Sequence, residues 1–160
     1  MRTPIISNAI RLVVASLVMT VIVVAMTVMR VRAFSGDTIA DRELGQPDMY
    51  HNSANTPDAD VYNSPNQIAI DKSVSPNRLY VADSQNGRVL GYHSATALVT
   101  GAPADLVIGQ RDLYSAGCNN PVPSQASLCV PSGVAVDSAG NLLVADTNNN
   151  RVLRFANPFA

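Results

Sequence analysis

The chain is 160 residues long with a formal net charge of −1, but the charge is unevenly placed. Arg2, Arg11, Arg30 and Arg32 precede Phe34 with no acid among them, whereas the remainder carries six arginines and one lysine against twelve acids, a balance of about −5. A phosphate-binding surface shows a basic excess, so this balance argues against nucleic acid, RNA included, as a partner. The length leaves room for one small domain.

The first predicted element is Leu12–Met29, LVVASLVMTVIVVAMTVM, a run without a charge. As a helix it would be about 27 Å long, close to the thickness of a bilayer's hydrocarbon core. The segment Val31–Ala33, VRA, has small residues at the positions a signal peptidase reads. Residues 1–33 are therefore expected to be either a signal peptide cleaved after Ala33 or an uncleaved transmembrane anchor through residues 12–29. Equal arginine counts on the two flanks leave its orientation open. Either reading makes residues 34–160 extracytoplasmic, secreted or anchored to the membrane.

Past this segment the strands are short. Asp41–Gln46 reads as a lone first strand. A set of four follows: Gln67–Asp71, Arg78–Asp83, Arg88–Tyr92 and Ala104–Gln110. Three more close the list: Gly133–Asp137, Asn141–Asp146 and Arg151–Phe155. GVAVD and NLLVAD are β-branched or aliphatic runs ended by residues that turn the chain. Such hairpins build a four-stranded antiparallel meander.

The sequence repeats itself. IAID at Ile68–Asp71 returns as VAVD at Val134–Asp137, LYVAD at Leu79–Asp83 as LLVAD at Leu142–Asp146, and LGQPDMY at Leu44–Tyr50 as IGQRDLY at Ile108–Tyr114. The two copies lie 63 to 66 residues apart throughout, which is the mark of a repeat architecture. GVAVD is apolar on both faces, so each sheet needs neighbours on both sides. Blades packed around an axis meet that need.

On the strength of PSGVAVDSAGNLLVADTNNNRVLRF (Pro131–Phe155) and its partner at Ser64–Tyr92, the chain resembles the NHL-repeat family of β-propellers. The added LVIGQRDLY element resembles that of exported prokaryotic members. The upstream copy departs at Gln67, where the pattern has Gly. The expected fold is all-β: a partial propeller of about two four-stranded blades, in units 37–96 and 97–160, behind one hydrophobic helix. Two blades do not close a ring, since propellers have about 4–8. The chain is thus expected to be the front portion of a longer propeller, with about three self-associating copies as the alternative.

Candidate chemistry is sparse. Asp83 with Arg88, and Asp146 with Arg151, recur at one spacing and are expected to be turn locks, each carboxylate capping a hairpin and pairing with the arginine. Asp71 and Asp137 read as turn residues. His51 and His93, the two histidines, do not make a metal site, although His51, Asp58 and Asp60 are close in sequence. Cys118 and Cys129 are expected to form a structural disulfide in an oxidising compartment. No catalytic, cofactor-binding or metal-binding residue is assigned and no cofactor is expected. The reading is a binding or scaffold module that contacts a protein or glycan through its loops, chiefly the one between Gln110 and Cys129. The alternative is the N-terminal fragment of a propeller enzyme, a metal-dependent lyase or hydrolase with its catalytic residues in further blades.

Overall fold

Aliphatic runs punctuated by Asp, Asn and Gly fold as antiparallel hairpins. In this computed structural model residues 38–53 and 58–160 are described. The expected helix at 12–29 and the cleavage point after Ala33 lie outside them. Among the described residues no helix is long and apolar enough to cross a membrane. Residues 41–160 form one unit.

That unit holds two antiparallel sheets. The first runs in the order β1 (Pro65–Asp71), β2 (Arg78–Asp83), β3 (Arg88–Tyr92) and β4 (Leu106–Ile108). The second runs β5 (Pro131–Val136), β6 (Leu142–Asp146) and β7 (Arg151–Phe155). In both sheets the register slips at the start of the first strand, between Pro65 and Ile68 and between Pro131 and Gly133. The second and third strands of each sheet are joined by one 3-10 turn, Ser84–Asn86 or Thr147–Asn149. Each turn ends on a left-handed residue, Gly87 (φ 63°) or Asn150 (φ 52°). These are residue types that enter that region at low cost.

Two strands differ from expectation. Asp41–Gln46 is not a strand; its ladder contact is an isolated parallel bridge from Gly45 to Val61. A fourth-type strand needs a third-type strand beside it, as β4 has β3, and among the described residues none lies beside residues 41–46. The Ala104–Gln110 strand is shorter, Leu106–Ile108, because Gly109 swings to φ 97° and bridges instead to Ser127. A Cβ on Gly109 would meet the Leu128 side chain at 2.7 Å, and one on Gly45 would meet Tyr62 at 2.0 Å. Glycine at both positions lets the chain pass this closely.

The core has two layers. Tyr80, Ala82 and Val89 of the first sheet pack with Val134, Leu142 and Val144 of the second. On the other face of the first sheet, Leu79, Val81, Leu90 and Tyr92 are covered by Tyr62 and Ala104. Polar ties join the sheets as well. The Val134 N–H donates to Gln67 Oε1 at 2.9 Å, and Ser84 Oγ donates to the Pro131 carbonyl. Apolar side chains nevertheless remain in solvent on both outer faces. Ile68 is 62 % exposed on the far side of the first sheet and Val152 is 66 % exposed on the far side of the second.

Two measurements check this layout. Leu142→Ala removes a fully buried side chain and is expected to cost about 2–5 kcal/mol, whereas Val152→Thr should stay within about 0.5 kcal/mol. Equal effects in urea unfolding would contradict the assignment of faces. The second concerns the Tyr62 and Tyr92 hydroxyls, which share a hydrogen bond inside the second layer. Burial pushes Tyr92 up to about 12 and raises Tyr62 as well. Both folded values lie above the unfolded value of 10.0. Their contribution to stability is therefore complete below pH 10 and is lost as the pH rises toward 12. The melting temperature is expected to fall in that window, and to fall less steeply when both tyrosines are replaced by Phe.

Candidate functional site

The loops before β1 and β5, the two 3-10 turns and the loop after β4 gather at one end of the sheets. A repeated polar cluster organises that end. In the first unit Asp83 Oδ1 accepts the Asn63 N–H at 2.7 Å. Its Oδ2 accepts from Asn86 Nδ2 at 2.9 Å and from Arg88 Nε at 2.7 Å. The Arg88 guanidinium then donates outward to the carbonyls of Asp58, Val61 and Leu113. Asp83 and Arg88 are both wholly buried. A buried ion pair holds together only when its remaining donors and lone pairs are satisfied, and here three separate loop carbonyls do so.

The second unit repeats the design, without a counterpart to the Arg88 Nη1 bond. Asp146 Oδ1 accepts the Cys129 N–H, and its Oδ2 accepts from Asn149 Nδ2 and Arg151 Nε. Arg151 Nη2 donates to the carbonyls of Ser124 and Ser127. Arg151 keeps 30 % of its side chain in solvent. These residues staple loops to sheets; the geometry leaves neither carboxylate open to a substrate.

Gln110 is a third element of the cluster. Its Nε2 donates to the carbonyls of Asn86, Gly87 and Gly117 at 3.2, 2.9 and 2.7 Å. The repeat-equivalent Gln46 donates to Ser53 O at 3.0 Å. Sequence reasoning assigned no role to Gln46, Gln110, Asn86 or Asn149, although each recurs in both copies and the recurrence was the available signal.

The loop from Arg111 to Val130 is pinned along its length. A Cys118–Cys129 disulfide closes it. Asn119 and Asn149 exchange side-chain hydrogen bonds of 2.8 and 2.7 Å. Asp112 accepts from the Tyr114 N–H and Ser115 Oγ, and these bonds, Ser115 foremost, hold its carboxyl below the ordinary range. Between the anchors, Tyr114 is 68 % and Val122 is 61 % exposed, and Asn120, Pro121 and Pro123 are exposed with them. Asp48 and Tyr50 form the same turn in the first copy.

The other candidates stand apart. Asp71 accepts from the Ser73 N–H and Oγ. Asp137 accepts from Asn141 and Ala139, and the Asn141 bonds lower its pKa. Both work as turn residues at the opposite end of the sheets. His51 pairs with Asp48 at 2.8 Å, and His93 lies 4.5 Å from the Phe159 ring. Among the described residues no group of three or more His, Cys, Asp and Glu could hold a metal ion. Residues 54–57 of the His51–Asp60 segment are outside the described set.

Compared with known families, residues 128–155 match the NHL repeat model. No curated protein matches the chain.

The cluster predicts an order of sensitivities. Arg88→Lys keeps the charge but loses the fork that reaches three carbonyls, and is expected to cost about 3 kcal/mol or more. Arg151→Lys, partly solvated, should cost clearly less in the same unfolding assay. Cys118→Ser/Cys129→Ser is expected to lower stability by about 3 kcal/mol in the chain-entropy model while leaving the far-ultraviolet spectrum unchanged.

Proposed function

Because residues 128–155 match the NHL repeat model, we propose a propeller-type binding module whose two sheets are consecutive blades and whose contact surface is the loop from Arg111 to Val130. One observation carries the reading. That loop is tied down by a disulfide, by Arg151 and by the Asn119–Asn149 pair, yet its exposed residues include an aromatic, two prolines, a valine and an asparagine. A loop fixed before encounter loses little conformational freedom on binding, and an exposed tyrosine supplies a large contact area at low entropic cost.

The partner is a protein or glycan met outside the cytoplasm. Two features support that compartment: a disulfide, which persists where conditions are oxidising, and the apolar segment at 12–29, read as an export signal or anchor.

The test is an array of polysaccharides and purified extracellular proteins probed with the full chain. Wild type should retain at least one probe. The Tyr114→Ser/Val122→Ser variant should bind it about tenfold or more weakly, a loss of about 1.4 kcal/mol or more. Equal retention by the two would refute the loop as contact surface.

A further inference from the structure

The repeat supplies a template: the contacts made in the first sheet have one further donor segment and one further receiving edge. Within the first sheet, segment 105–117 docks on β3 and its preceding turn. The Asp105 N–H donates to the Gly91 carbonyl, and Asp105 Oδ2 accepts the His93 N–H. Leu106, Val107 and Ile108 pair with Gly91, Leu90 and Val89. Gln110 Nε2 donates to the Asn86 and Gly87 carbonyls, and Arg88 Nη1 donates to the Leu113 carbonyl.

The two residues that dock through their side chains have equivalents upstream, Asp41 for Asp105 and Gln46 for Gln110, and Gly45 stands where Gly109 turns the backbone. The upstream segment is already in the docking shape. Gly45 has φ 90° against 97° for Gly109, and both make a parallel bridge to the segment that leads into a first-type strand. The receiving edge is likewise present in the second sheet. Asp146, Thr147–Asn149 and Asn150 reproduce the backbone of Asp83, Ser84–Asn86 and Gly87, with φ/ψ of −87/77° against −92/77° at the aspartate and 52/41° against 63/36° at the left-handed residue. β7 is the edge of its sheet, with no strand on its outer side among the described residues.

We propose that segment 41–46 of one copy of this chain docks on β7 and the Thr147–Asn150 turn of a second copy, head to tail. Gln46 Nε2 donates to the Asn149 and Asn150 carbonyls, Asp41 accepts the Ala156 N–H, and Arg151 reaches the Met49 carbonyl. The second copy is the occupant because this chain itself carries a donor segment with the required Asp, Gly and Gln in place. Because the contact is heterologous, repetition gives a ring where the rotation closes and an open filament where it does not. One pair fits poorly: Arg42 stands opposite Arg154, and opposed like charges weaken a strand pair.

The full chain tests this by cross-linking. Two differently tagged copies, one Arg42→Cys and one Arg154→Cys, are co-expressed and treated with a short thiol cross-linker; both native cysteines are in the disulfide. A product carrying both tags is expected. Adding Gln46→Glu, which keeps the size but donates no hydrogen bond, should cut its yield about tenfold, the effect of about 1.4 kcal/mol. Without cysteines, Arg154→Glu should tighten association several-fold by sedimentation. A yield no greater than that of an off-register Arg42→Cys and Thr96→Cys pair overturns the proposal. So does a yield indifferent to Gln46→Glu. Cross-linking of Arg42→Cys/Arg154→Cys only within single chains also overturns it.

Discussion

A carboxylate and a guanidinium removed from water are tolerable only with every neighbour in position, and the Asp83–Arg88 pair imposes that condition on the whole first unit. Its oxygens fix the entry to β1 and the turn between β2 and β3. Its nitrogens fix the segment that leads into β1 and the loop that follows β4. Three stretches of chain, distant in sequence, thus share one electrostatic requirement. The strands themselves are too short, at three to seven residues, to place those loops unaided. A hairpin of this size is marginal in water without additional packing.

The same requirement separates the loops at this end from the sheet faces. The sheet faces are aliphatic and serve to stack one unit on the next. The lock end is polar, with its hydrogen bonds consumed internally, so what it presents outward is the loop surface between anchors. Stacking and presentation are separated in space, and each unit repeats the separation. A repeat protein gains stability from nearest-neighbour contacts while leaving its loops free to vary.

Much of this is legible in the residues. Short apolar runs between Asp/Asn/Gly clusters place all seven strands to within about two residues at either end, and the Asp–Arg spacing points to a lock. β4 and Asp41–Gln46 are harder. Their pattern is the same, but a strand exists only where another offers its edge, and no local signal reports that. The roles of Gln110 and Gln46 are hidden for a related reason. A side-chain amide that satisfies three carbonyls reads like any surface glutamine until the turn it serves is folded beside it. The cysteine pairing follows from there being two cysteines and a short loop, whereas the Asn119–Asn149 exchange spans thirty residues and leaves no trace in spacing.

Gln67 departs from its counterpart Gly133, and the two positions face one another across the sheets: a Cβ added to Gly133 would lie 3.0 Å from the Gln67 amide oxygen. One copy provides the plug and the other the hole. The modules are therefore not interchangeable parts. If their order were permuted, the Val134 amide proton would lose its acceptor and the plug would meet no hole, so the array carries a built-in direction of reading, fixed by a single side chain.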